Sequence, residues 1–246
     1  MVRQNKSLSR GLQVLKEIMN SEKSTSANEL CAKFDIDKST MSRLVTTLIS
    51  EGFAKYIDNT KEIIYTDVMS TLSKKKKEAM IIQQTTSLLH EVFTQTDECS
   101  YVAVYDDNMI VHLNQIDTSN RILKNRDTVG SHSPLHATAM GKVVLAFSDD
   151  IDTSKLSLDE YTHSTITNLK RLQLNLHTIK ELGYAIDDEE FEYGLHSVAV
   201  PYFSKTGEFI GAIGVSGLAA RLSSEKLQNI AKILQSLTKK NKFIIS

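Results

Sequence analysis

Ser39, Thr40, Arg43, Thr46 and Thr47 crowd one guanidinium and several small hydroxyls into a single short stretch. Wound as a helix at about 100° per residue, Ser39, Arg43, Thr46 and Ser50 share a face, and Thr40 and Thr47 flank it. Such a face suits the DNA major groove. An Arg takes a guanine edge bidentately or a phosphate, and Ser or Thr takes either. Backbone amides at the start of the helix favour a nearby phosphate. Arg43 is the candidate for base readout, with Lys38 at the head of the helix. Lys55 and Lys61 are candidates for backbone contacts. The same face would also serve a winged helix that binds protein. The run Lys74–Lys77 reads more simply as a solvated helix face.

Other chemistry finds little support. Asp187-Asp188-Glu189-Glu190 puts four acids in a row. Consecutive side chains point in different directions, so one or two at most could face a common ion. Asp188, Glu189 and Glu190 therefore read as a cap or a solvated loop. His132 and His136 are four apart, but Pro134 lies between them and disfavours a shared helical face. His136 is expected to pack or hydrogen-bond locally. His90-Glu91 lacks the second His of a zinc-protease motif, Ser216 sits in G-V-S-G rather than G-x-S-x-G, and there is no phosphate loop. Neither Cys31 nor Cys99 belongs to a CxxC pair. No catalytic residue, metal site or cofactor is expected, so an appended hydrolase or isomerase lacks its nucleophile and base.

The elements that must hold the Arg43 face are legible from apolar spacing. Leu8, Leu12, Leu15 and Ile18 form one helical stripe. Ser26 to Glu29 has capping-box spacing, followed by the apolar face Ala27, Leu30, Cys31 and Phe34. Asp37 is placed to cap a third helix, Lys38 to Glu51, whose buried stripe is Met41, Leu44, Val45, Leu48 and Ile49, with Gly52 as its stop. Phe53–Ile57 and Glu62–Thr66 read as a hairpin. Three helices with a tight second turn and a hairpin make a winged helix-turn-helix, assigned to residues 1–68. A polar stretch and a helical stripe of Ile81, Ile82, Leu88, Leu89 and Val92 follow. They suggest a linker over 69–80 leading by a helix into a second domain, 81–246.

The second domain alternates strands and helices. Ser100–Tyr105 and Met109–Asn114 are strand-like around Asp106-Asp107-Asn108, and Val198–Phe203 and Phe209–Ser216 around Lys205-Thr206-Gly207. Helices are expected at Leu135–Phe147, at Leu169–Leu182 with Gly183 as a stop, and at Leu222–Asn241. The pattern is α+β with an antiparallel sheet of the kind used by sensor domains.

Composition bounds the class. A chain of 246 residues with 41% hydrophobic and 24% charged residues is an ordinary globular chain of about two domains. No run approaches the ~18–20 apolar residues of a membrane span, and MVRQNKSLSRG has no apolar core of a secretory signal. A reduced cytoplasm is the expected home. The net charge of −1 conceals a split. Residues 1–80 hold 14 Lys+Arg against 10 Asp+Glu, leaving 15 against 20 for the rest. That fits a basic nucleic-acid module joined to an acidic one.

Five blocks in order carry a family resemblance. D-K-S-T-M-S-R-L-V-T-T-L at 37–48 resembles the DNA-binding half of IclR-type regulators. H-A-T-A-M-G-K at 136–142, E-L-G-Y-A-I-D-D-E-E at 181–190, G-L-H-S-V-A-V-P at 194–201 and I-G-V-S-G at 213–217 resemble the family's C-terminal signatures. The resemblance implies a winged helix-turn-helix, a linker helix and a GAF-like effector-binding domain. It implies homodimers or dimers of dimers on palindromic double-stranded operators, repressing or activating catabolic genes in response to small, often carboxylate-bearing metabolites. Carried over residue by residue, the effector-binding positions are Ala139, Met140, Asp187, Ser197, Gly214 and Ser216. Two depart from the family: Ser197 stands where many members have Cys, and Gly214 where Ser is common.

Overall fold

The computed structural model describes residues 5–21, 24–117, 121 and 127–245. Residues 1–4, which open both the expected DNA-binding domain and the segment read for a secretory signal, lie outside them. The chain divides into two compact units, Met1–Lys77 and Glu78–Ser246.

The first unit is a winged helix. Its helices are α1 (Lys6–Asn20), α2 (Ala27–Phe34) and α3 (Lys38–Ser50); a small antiparallel sheet combines β1 (Thr25–Ser26), β2 (Ala54–Tyr56) and β3 (Glu62–Tyr65) in the order β1-β3-β2. Ser26 caps α2 with a complete capping box: its side chain takes the Glu29 amide, and the Glu29 carboxylate takes the Ser26 amide. Asp35 ends α2 in the left-handed conformation (φ 50°), and Ile36 is buried in the turn. The core is Val14, Ile18, Leu30, Ile36, Met41, Val45, Ala54 and Ile63.

One stripe differs from expectation. Leu15 and Ile18 are buried, but Leu8 is 62% and Leu12 51% exposed. Two apolar periodicities overlap on α1. The one that packs inward runs through Gly11, Val14, Leu15 and Ile18, with Gly11 lying against Leu44 of α3. Leu8, Leu12 and Met19 stay outside.

A 29-residue helix, α4 (Val68–Thr96), follows and contains the point at which the two units divide. The second unit is a six-stranded antiparallel sheet in the order β6-β5-β4-β9-β8-β7. Its strands are β4 (Cys99–Asp106), β5 (Met109–Ile116), β6 (His132–Pro134), β7 (Ala185–Asp188), β8 (Leu195–Phe203) and β9 (Phe209–Leu218). The helices are α5 (Ala139–Phe147), α6 (Leu169–Leu182) and α7 (Ser224–Lys240). The expected helix from Leu135 begins instead at Ala139. Pro134 closes β6, and Thr138 is the cap, accepting from the Gly141 amide. β6 and β7 were not legible, being only three and four residues long.

Strand alternation separates two layers. Val102, Val104, Val198, Val200, Tyr202, Ile213 and Val215 face one side, packed with Leu88, Leu89 and Val92 of α4 and the buried stripe of α7. Ala103, Ala185, Ala199 and Ala212 face the other, under α5 and α6. Bulky β-branched residues fill the first layer. Small residues on the second let α5 approach the sheet closely, and the cavity described next opens beside its first turn.

Candidate functional site

The DNA-facing candidates lie where the helical spacing puts them. On α3, Lys38, Ser39, Arg43, Thr46 and Thr47 are exposed, and Thr40 is half-buried. Ser42 is exposed as well. It flanks that face on the side away from Thr47, and the 100° rule would have found it. Lys55, on β2, and Lys61, beside β3, are both exposed. The hairpin turns through Asn59 (φ 60°), and the Ile57 amide donates to the Glu62 carbonyl at 2.9 Å.

Two sequence expectations for the head of α3 compete, and the cap prevails. The Asp37 carboxylate accepts from the amides of Ser39 (3.0 Å) and Thr40 (2.9 Å) and from the Ser39 hydroxyl (2.7 Å). These bonds hold its carboxyl well below the usual carboxylate range. The amides are thus already engaged and are not free for a phosphate. Thr47 donates its hydroxyl to the Arg43 carbonyl at 2.9 Å, so toward an outside partner it can only accept.

In the second unit, Ala139, Met140, Asp187, Ser197, Gly214 and Ser216 all line one cavity of about 430 Å³. Sheet register explains why residues so far apart in sequence converge. Asp187 pairs with Ser197, Ser197 with Ser216, and Ser216 with Cys99, forming one row across four strands. The next row on the same face is Ala185, Ala199, Gly214 and Tyr101. Gly214 sits under α5 so closely that a Cβ there would meet the Met140 side chain at 2.9 Å. Met140 therefore occupies the space a serine side chain at 214 would need, and the two residues are complementary. Ala139 and Met140 lie in the first turn of α5, whose amides lack intrahelical acceptors. Gly141 is required by a close approach, since a Cβ would stand 2.5 Å from the Leu135 carbonyl.

Asp187 is the central polar group. It is 1% exposed, accepts from the Glu190 amide at 2.7 Å, and accepts from the Ser197 hydroxyl at 3.1 Å. Burial pushes its carboxyl up from 3.8 to about 6, against the pull of Lys142. Lys142 and Glu190 correct the reading of the acidic run as solvated. Lys142 is 1% exposed on an otherwise apolar α5, bonded to the Glu190 carboxylate and, at 2.7 Å, to the Ile186 carbonyl. A lysine amid A-M-G-K-V-V-L-A-F was the signal for a buried acidic partner. Asp188 does stay exposed, paired with His196 at 2.7 Å, and Glu189 accepts from the Gly194 amide at 2.6 Å.

Several lining residues escaped the sequence reading: Tyr101, His112, Ser133 and Tyr193. Burial lowers the His112 imidazole to about 4, so it is neutral near pH 7. Its Nε2 lies 3.1 Å from the Ser133 hydroxyl, while its buried Nδ1 has no partner among the described residues. Among the described residues no Lys or Arg lines this cavity. His136 does pack locally, its Nε2 2.9 Å from the Asp159 carbonyl and its ring beside Tyr161. No group of three or more His, Cys, Asp or Glu among the described residues could hold a metal ion.

Comparison with known proteins gives a consistent picture. Residues 7–58 match the IclR helix-turn-helix domain, and residues 74–241 match the bacterial transcriptional regulator IclR C-terminal domain. A protein of Escherichia coli (strain K12), the HTH-type transcriptional regulator KdgR, is 29% identical over 230 residues, covering 91% of this chain and 87% of that one. The crystal structure of Thermotoga maritima IclR superposes with a TM-score of 0.61 at 23% identity, covering 95% of this chain and 96% of that one. An IclR homologue from Microbacterium hydrocarbonoxydans, solved in complex with 4-hydroxybenzoate, gives 0.60 at 19% identity, covering 96% and 98%.

Proposed function

Because the chain belongs to the IclR family of bacterial transcriptional regulators, we propose that it binds a palindromic operator as a homodimer or dimer of dimers, under control of a small carboxylate-bearing metabolite. That it is a DNA-binding regulator rather than an enzyme follows from the family. The finer reading rests on one observation: all six carried-over effector positions surround a single cavity. A carboxylate there meets the first-turn amides of Ala139 and Met140, which carry the positive end of the helix dipole, beside the polar rim of Ser197 and Ser216. Asp187, with its raised proton affinity, can itself become a donor beside an anion. The homologue solved with 4-hydroxybenzoate contains a ligand of this class.

On the DNA side, Arg43 reads a base edge, and Lys38, Ser39, Thr40, Thr46, Thr47, Lys55 and Lys61 position the helix and wing. The exposed stripe Leu8, Leu12 and Met19 on α1 is the surface for a second copy. A two-fold dimer presents paired α3 helices to a palindrome. The metabolite acts through its differential affinity for two subunit arrangements, which shifts the spacing or order of those helices. The site of action is the cytoplasm.

The experiment is a thermal-shift screen of small carboxylates, 4-hydroxybenzoate included, followed by anisotropy titration of DNA from upstream of the gene at matched salt. A stabilising carboxylate is expected to change operator affinity, and Ser197→Ala is expected to weaken both effects. A carboxylate that stabilises the chain yet leaves DNA binding unaltered overturns the coupling.

A further inference from the structure

A second cavity, of about 610 Å³, shares a wall with the first. The segment from Asp187 to Gly194 supplies both. Asp187 and residues 191–194 line the first, while Asp188 and Glu190 line the second. The opposite wall is a face of α6 made by Arg171, Leu174, Asn175 and Thr178. Their spacing, i, i+3, i+4 and i+7, is that of one helical stripe. The core-facing stripe of α6 is a different one, Leu172, Leu176 and Ile179. This helix therefore carries two faces, and on the second Leu174 is 71% exposed.

Among the described residues, nothing donates to two acceptors lining this cavity. The Glu190 side chain is 10% exposed; one oxygen is bonded to Lys142, and the other, Oε2, is buried without a partner. Asn175 Oδ1 is likewise buried and unpartnered. Buried acceptors are rarely left this way, because each forfeits its hydration, and a carboxylate oxygen forfeits most. What they lack is a donor with several hydrogens and a positive charge. Exposed Arg171 completes the set one turn before Asn175; burial raises the Glu190 carboxyl, and Lys142 and then Arg171 pull it back toward the ionised form. The cavity is thus acidic at its floor and cationic at its rim.

We propose that this cavity is a second small-ligand site that takes an α-amino acid or close analogue, its ammonium group on Glu190 Oε2 and Asn175 Oδ1 and its carboxylate on Arg171. An ammonium supplies three donors, matching two buried acceptors with one left for solvent. A guanidinium fork matches a carboxylate. Leu174 and Thr178 border the ligand's side chain. The site stands whether or not the first cavity holds an effector. The two are nonetheless linked by one peptide unit, since Glu190, whose carboxylate would receive the ammonium, donates its amide to Asp187.

The test is isothermal titration calorimetry of the full chain with each standard amino acid, and with ethylamine and acetate as half-ligands. At least one amino acid is expected to bind with a Kd below about 1 mM, more tightly than either half-ligand. Asn175→Leu is expected to weaken it about tenfold or more, as is Arg171→Ala, which should leave ethylamine unaffected. Ser197→Ala, in the first cavity, should change nothing. Glu190→Gln strips buried Lys142 of its counter-charge and can fail to fold, so the exposed Arg171 and partly buried Asn175 carry the test. Absence of binding by every amino acid overturns the proposal, as does binding that Ser197→Ala abolishes while Asn175→Leu and Arg171→Ala spare it.

Discussion

Arg43 and Asp187 are the two residues on which the most depends, and they are opposites in environment. Arg43 is exposed on α3 among hydroxyls, with no packing role, so Arg43→Ala should leave the thermal midpoint unchanged. It should lower specific operator affinity by roughly 1–3 kcal/mol while weakening binding to random DNA much less. Competition anisotropy at fixed salt separates the two; equal losses on both DNAs would make Arg43 a phosphate contact. Asp187 is buried, and its carboxyl is raised from 3.8 to about 6. The folded chain then holds the proton more tightly than the unfolded one. This residue's contribution is most favourable below about pH 4 and is lost as the pH rises through about 6. A shift of about two units corresponds to ~3 kcal/mol. Asp187→Asn keeps an acceptor for the Glu190 amide and cannot ionise. Its stability advantage over the parent chain should open between those pH values and then stay level. Parallel pH profiles in thermal denaturation would refute the burial argument.

At the scale of elements, the contact of β9 with α5 decides the shape of the first cavity. Gly214 and Met140 are matched: a Cβ at 214 would stand 2.9 Å from Met140 Cγ and 3.2 Å from the Val198 carbonyl. Gly214→Ser should cost about 1–3 kcal/mol through overpacking. Met140→Ala in the same chain should recover part of that cost, because the flexible side chain is what yields. Urea denaturation of the two single variants and the double gives the coupling energy; strict additivity would mean that the two do not share the space. Other elements carry their own instructions. α6 starts at an Asn168 cap and stops at Gly183 in the left-handed conformation (φ 72°), so its limits were readable from local chemistry alone. α5 was not, because its start depends on Thr138 accepting the Gly141 amide and on Gly141 packing against the Leu135 carbonyl. A stripe of apolar residues beginning at Leu135 cannot reveal that.

For the whole molecule, the central matter is assembly. Leu8 and Leu12 lie outside the core of their own unit, and the palindromic operator proposed above would call for a second copy. Replacing both with Glu should leave the C-terminal unit's unfolding unchanged in calorimetry. Operator binding should fall at least tenfold and lose its dependence on both half-sites. Full retention of operator affinity would assign the stripe no part in pairing.

Class and most of the elements follow from local pattern. Apolar periodicity, caps and turn residues act over three or four positions, so α3 with its outward Arg43, the Asp37 and Ser26 caps and the Gly183 stop were all legible. Ordered motifs carried the family. The folded chain settles what depends on partners distant in sequence. It chose between two overlapping stripes on α1, because α3 covers one of them while the other stays exposed among the described residues of its own unit. It turned Glu190 from a solvated acid into the buried partner of Lys142, 48 positions away. It also brought Asp187, Ser197 and Ser216 into one row, because antiparallel register aligns residues that no local rule connects. Local free energies are written in neighbours; burial and register belong to the whole chain.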